Sequence, residues 1–115
     1  MNSDSIRDFF AALGPVRVRR MFGGQGVYRD GLMFALEAQG ELFLKADDET
    51  AAAFAEAGSS RFTYTREGRE TAMGYWRLPD AALDDPDEAA RWGRLALEAA
   101  RRAAKGKAKG AKSKT

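Results

Sequence analysis

The stretch that decides the fold reads Gly26-Val27-Tyr28-Arg29-Asp30-Gly31-Leu32-Met33-Phe34-Ala35-Leu36-Glu37-Ala38-Gln39-Gly40-Glu41-Leu42-Phe43-Leu44-Lys45-Ala46. Asp30-Gly31 and Gln39-Gly40 divide it into three segments predicted as strands, 26–29, 32–38 and 41–46. A glycine in a two-residue connection accepts the left-handed backbone that a tight hairpin demands. Leu32, Phe34 and Leu36 alternate with Met33, Ala35 and Glu37, and Leu42 and Leu44 alternate with Phe43 and Lys45. The period of two predicts one fully apolar sheet face and one mixed face that is partly covered.

Working outward, Ser3 and Ser5 are both candidate N-caps of a first helix reaching Leu13, with Ile6, Phe9, Phe10 and Leu13 on one stripe. Gly14-Pro15 ends it. Residues 16–22 read as a short strand or a structured loop before Gly23-Gly24-Gln25-Gly26. Asp47 is placed to cap a helix over 47–57, stopped by Gly58. A further hairpin follows, with Phe62 and Tyr64 alternating with Thr63 and Thr65, a turn at Glu67-Gly68, and a return strand ended by Pro79. Asp85-Pro86-Asp87-Glu88 combines an N-cap, a proline at the first helical position and acids in the first turn, opening a last helix to about Ala104. One domain over 1–104 and a disordered Lys/Ala/Gly tail over 105–115 are therefore expected.

Composition narrows the chemistry. The 115-residue chain has neither cysteine nor histidine, which removes disulfides, thiolate nucleophiles, the commonest general base and the commonest zinc ligands. No catalytic residue, metal or cofactor is expected. No apolar run is long enough to span a membrane, and Met1 to Asp8 are polar and acidic where a secretory signal would be basic and then apolar, so a cytoplasmic protein is expected. The net charge of +2 conceals an asymmetry. From Arg101 onward two Arg and five Lys stand without an acid, while residues 1–100 carry twelve basic against seventeen acidic residues. A segment at +7 attached to a body at −5 predicts weak, non-specific DNA or RNA contact through Arg101, Arg102, Lys105, Lys107, Lys109, Lys112 and Lys114, with a solubility or spacer role as the alternative.

Three further constellations stand in the body. Gly23-Gly24-Gln25-Gly26 could cradle an anion, with Arg19, Arg20 or Lys45 as counter-charge, but it lacks the Walker lysine and leads into a strand; a close approach of backbones is the simpler reading. The acids Asp47-Asp48-Glu49 and Asp84-Asp85-Asp87-Glu88 sit where helix caps need them. Arg17, Arg19, Arg20, Lys45 and Arg77 beside Tyr28, Tyr75 and Trp76 could stack bases and neutralise phosphates, although strand aromatics are usually core and surface arginines usually pair with acids.

Arg20-Met21-Phe22-Gly23-Gly24, Gly26-Val27-Tyr28-Arg29-Asp30-Gly31, Met33-Phe34-Ala35, Leu42-Phe43-Leu44-Lys45-Ala46-Asp47, Phe62-Thr63-Tyr64, Met73-Gly74-Tyr75-Trp76 and Leu78-Pro79 form an ordered series. It resembles the N-terminal domain of the TfoX/Sxy family of competence regulators. The resemblance implies a bacterial source and an α+β fold of order α-β(3)-α-β(2)-α, antiparallel hairpins packed with helices, similar to secretion-chaperone-like folds. It also implies a non-enzymatic role in DNA transformation, with transcription regulated alongside the cyclic-AMP receptor protein. Full-length members carry a second, helical domain where a lysine-rich segment stands here, so a stand-alone N-terminal domain is implied. The expected function is that of a regulator or adaptor with a protein partner; the alternative is a small anionic-ligand module at Gly23, Gly24 and Gly26.

Overall fold

The computed structural model of the chain describes residues 1–21, 23–66 and 69–113, and the side chains of all these except 64–66, 69–73 and 107–113. Its elements are α1 (Ser3–Phe9), β1 (Arg17–Met21), β2 (Gly24–Arg29), β3 (Leu32–Ala38), β4 (Glu41–Lys45), α2 (Ala51–Glu56), β5 (Arg61–Arg66), β6 (Arg69–Arg77), a single 3-10 turn (Asp80–Ala82) and α3 (Pro86–Ser113). The six strands form one antiparallel sheet in the order β1-β2-β3-β4-β6-β5. This is the expected α+β class, and residues 17–21 are a strand, so four strands precede α2. Each of them pairs with the next through a short connection.

Both tight turns form as the dipeptides require. Asp30 and Gly31 have φ of 54° and 78°, Gln39 and Gly40 of 53° and 82°, the left-handed pair of a type I′ hairpin. The first helix is capped by Asn2, whose side chain accepts the Ser5 N–H at 2.8 Å, and not by Ser3 or Ser5, which lie inside it. It ends at Phe9, and turns closed by the Leu13 and Gly14 N–H groups on the Phe10 carbonyl carry the chain to Gly14. Asp85 caps α3 as expected, accepting from the N–H groups of Asp87 and Glu88 at 3.0 and 3.2 Å. Asp47 acts one turn ahead of α2: its Oδ1 accepts from the Glu49 and Thr50 N–H groups while Thr50 Oγ1 accepts from its own N–H. The Glu67-Gly68 turn lies outside the described residues.

The helices lie on one side of the sheet. Ile6 and Phe10, Phe54 of α2, and Trp92, Ala96, Leu97 and Ala100 of α3 close over Val27, Phe34, Leu42 and Leu44. Phe10 meets Phe34 edge to face at 5.3 Å, and Phe54 meets Trp92 at 4.7 Å. Alanines at 89, 96 and 100 let α3 sit close on β3 and β4.

One expected alternation fails. Val27 pairs with Ala35, but the next residue, Tyr28, pairs with Met33, so Phe34 is an extra residue in β3. The bulge reverses the phase of everything after it. Phe34 and Ala35 both join the helix-side core, Leu36 turns to the outer face, and Glu37 turns inward. Glu37 is buried there with both carboxylate oxygens satisfied, one by the Gln25 amide at 2.8 Å and one by the Gly40 N–H at 2.9 Å. Leu32, Phe34 and Leu36 therefore do not share a face, contrary to the simple period of two.

The last helix also departs from expectation, running to Ser113 and not stopping near Ala104. Lysine and alanine favour helix locally, which extends the backbone beyond the last turn that packs on the core.

Candidate functional site

Among the described residues, the face of the sheet opposite the helices carries no helical layer: its buried cluster of Leu36, Phe43 and Tyr75, with Met33, Ala38 and Phe62 packed against it, includes no helical residue. Strand register arranges that face in rows. Arg19, Gly26, Leu36, Phe43 and Arg77 lie side by side across five strands. Met21, Gly24, Ala38 and Glu41 form the row on one flank, and Arg17, Tyr28 and Met33 lead the row on the other, which ends with the paired residues Lys45 and Tyr75. Gly26 leaves no hole. A β-carbon there would lie 3.0 Å from Met33 Sδ and 3.1 Å from Met21 Sδ, so two methionines close over it.

Cations sit on the rings of this face. The Arg19 guanidinium is 6.0 Å from the centroid of Tyr28 and the Lys45 ammonium 5.2 Å from that of Tyr75, while Phe62 tilts onto Phe43 at 4.6 Å. Burial, reinforced by the nearby Tyr28, pushes the Tyr75 hydroxyl up to about 12. Arg77 is engaged by Glu41 at 3.2 Å and Asp80 at 3.6 Å. Arg17, Arg19 and Lys45 make no ion pair among the described residues.

Of the cation–aromatic set expected from the sequence, Arg17, Arg19, Lys45, Arg77, Tyr28 and Tyr75 are thus brought together. Arg20 and Trp76 are not, because alternation turns both to the helix side, where Trp76 packs near Phe54. Met21, Met33, Phe43 and Phe62 belong to the surface and were not singled out by sequence reasoning. The available signal was the crowding of the Met21 and Met33 side chains over Gly26, legible only once register is known.

The counter-charges expected around Gly23-Gly24-Gln25-Gly26 do not converge. Arg20, Gly23 and Gly24 line a groove of about 780 Å³ beside the start of α1, shared with the Glu37 carboxylate, which opposes an anion. Arg19 instead borders a separate cleft of about 450 Å³ with Arg17 and Tyr28, and Lys45 lines neither. Gly24 has a packing reason: a β-carbon there would collide with the Glu37 carbonyl oxygen across the β2–β3 ladder.

The basic segment divides as well. Arg102 is committed to the body: Nε and Nη2 donate to Asp47 Oδ2 and Oδ1 at 2.6 and 3.1 Å, and Nε also lies 2.6 Å from Glu49 Oε2. The Arg102 hydrogen bond holds the Asp47 carboxyl below the usual carboxylate range despite partial burial, and raises the guanidinium in turn. Arg101 reaches Asp30 at 3.5 Å. The two arginines expected to serve a nucleic acid thus also meet carboxylates of the body, linking α3 to the β4–α2 connection and to the β2–β3 turn. Lys105 is exposed; the side chains of Lys107, Lys109 and Lys112, and Lys114 altogether, lie outside the described residues.

Residues 8–100 match the model of the TfoX N-terminal domain family. Among curated proteins, the chain is 27% identical over 94 residues to Protein Sxy of Escherichia coli (strain K12), which covers 82% of this chain and 45% of that protein. It is 30% identical over 73 residues to DNA transformation protein TfoX1 of Aliivibrio fischeri, covering 64% of this chain and 35% of that one. The chain spans less than half the length of these curated relatives.

Proposed function

Because the chain belongs to the TfoX N-terminal domain family, we propose that it is a non-enzymatic regulatory or adaptor protein of the competence-regulator type, acting in the cytoplasm through protein contacts. The observation that carries this reading is the match over residues 8–100, nearly the whole described domain. The name of the Aliivibrio fischeri relative, a DNA transformation protein, supports the biological setting. The outer sheet face supports a role by contact, since exposed Arg17, Arg19 and Met21 and half-buried Met33 and Lys45 mix cations with apolar side chains there. Contact with DNA or RNA is an accessory property in this reading. It belongs to the lysines beyond Arg102 and is weak and salt-sensitive.

Deleting and over-expressing the chain in its host, with transcripts and DNA uptake measured in parallel, tests the proposal. A defined set of transcripts should change with the level of the chain. Unchanged transcripts and unchanged uptake in both directions would defeat the regulatory reading.

A further inference from the structure

We propose that the open sheet face docks an acidic segment of a protein partner, one in which carboxylates alternate with apolar side chains. The inference rests on the adaptor reading above and names the chemistry of its partner. Arg17 and Arg19 project from the same side of edge strand β1, two residues and so about 7 Å apart, the repeat of alternate side chains along an extended peptide. Lys45 stands three strands away, about 14 Å across the sheet. Met33 lies in the row between Arg17 and Lys45, Leu36 and Phe43 stand buried in the next row, and Met21 and Phe62 flank them on β1 and β5. Met21 is 41% exposed, and methionine side chains re-pack readily against unlike partners. Exposed cations beside accessible Met21 and half-buried Met33 and Phe62 are complementary to a segment of the opposite charge that also has apolar side chains to bury.

The same details weigh against two other occupants. Single-stranded nucleic acid binds sheets by stacking bases on exposed rings. Here Phe43 and Tyr75 are 8% and 7% exposed, and the Tyr28 and Tyr75 rings are already faced by Arg19 and Lys45. A second copy of this chain on the same face would bring two sets of Arg17, Arg19 and Lys45 together, with Glu41, already held by Arg77, as the one acid in the rows described. Like charges brought together in that way cost affinity.

The test uses the full chain, isotope-labelled, titrated with a short synthetic peptide alternating glutamate with leucine. Controls are a lysine–leucine peptide, polyglutamate and oligo-dT. The glutamate–leucine peptide should move the amides of Arg17, Arg19 and Lys45 and the methyls of Met21 and Met33, and bind more tightly than polyglutamate. The double variant Arg19→Ala/Lys45→Ala, checked for folding by circular dichroism, should bind roughly fivefold more weakly, the effect of two screened ion pairs. Should that variant unfold, Arg17→Ala provides the same comparison with a roughly twofold loss. Shifts confined to the helix side or the lysine segment, equal binding of the lysine–leucine peptide, displacement by oligo-dT, or dimerisation through this face would each overturn the inference. Altered transcripts on deletion together with a face that ignores the acidic peptide would sink this inference and leave the regulatory reading standing.

Discussion

Replacing Arg102 with glutamine tests whether the root of the basic segment is a structural latch. The wild-type guanidinium makes two hydrogen bonds to Asp47, at 2.6 and 3.1 Å, and a further contact to Glu49. The pair is neither buried nor free: the Asp47 side chain is 28% exposed and that of Arg102 is 39%. Exposed pairs contribute up to about 1 kcal/mol and hydrogen bonds to charged groups about 1.5–3 kcal/mol, so after discounting for solvent the loss should be about 1–1.5 kcal/mol. For a chain of this length that lowers the melting temperature by about 4–6 °C. The sign of the pH dependence follows from Asp47. Its folded value is depressed below its unfolded one, chiefly by Arg102, so the stabilisation is complete above about pH 4 and is lost as pH falls through the depressed value. Thermal unfolding by circular dichroism should show the full gap between wild type and variant at neutral pH and a closing gap in acid. A gap that is absent at neutral pH, or unchanged in acid, refutes the latch. The same variant separates anchoring from nucleic-acid contact. Truncation after Ala104 removes five lysines and should flatten the salt dependence of DNA binding, whereas Arg102→Gln should change the slope by much less than the roughly 0.9 expected per phosphate contact.

Gly24→Ala should cost about 2–3 kcal/mol in urea unfolding, because the new methyl meets the Glu37 carbonyl in a backbone ladder that must shift. Gly23→Ala meets nothing nearby but must hold φ near 69°, so its loss should be about 1 kcal/mol; equal losses at both positions would contradict the close-approach reading. Tyr75 should ionise near pH 12 by phenolate absorbance, and since its folded value is raised, the stability linked to it is present below about pH 10 and lost as pH climbs toward 12. Tyr75→Phe should abolish that alkaline loss. Phe34→Ala should destabilise the chain by about 3–5 kcal/mol, since the ring is wholly buried against Phe10.

What the sequence made legible follows the range of the forces involved. Asp30-Gly31, Gln39-Gly40 and Asp85-Pro86 declare themselves because a turn or cap is settled within four residues. Residues 17–21 are ambiguous because Val16 and Val18 oppose Arg17 and Arg19 on an edge strand whose outer side needs no apolar residues. The contacts of Arg101 and Arg102 are not legible locally, since Asp30 and Asp47 are brought to them only by the fold.

The bulge at Phe34 shows how one long-range detail decides the candidate surface. Read locally, β3 alternates without fault, and nothing in the six residues from Leu32 marks a phase change. Yet without the extra residue the ladder from Tyr28 and Met33 would set Ala35 opposite Gly26 and Glu37 opposite Gly24, so Leu36 would point into the helix-side core and a carboxylate would stand on the outer face beside Met21. With it, Leu36 joins Phe43 and Tyr75 on the outer face, while Glu37 is withdrawn and satisfied by Gln25 and Gly40. The outer face thereby gains an apolar centre and loses an acid, and its cations are left facing outward without that neutralising charge. The chemistry of the partner inferred above follows from that one insertion in the ladder.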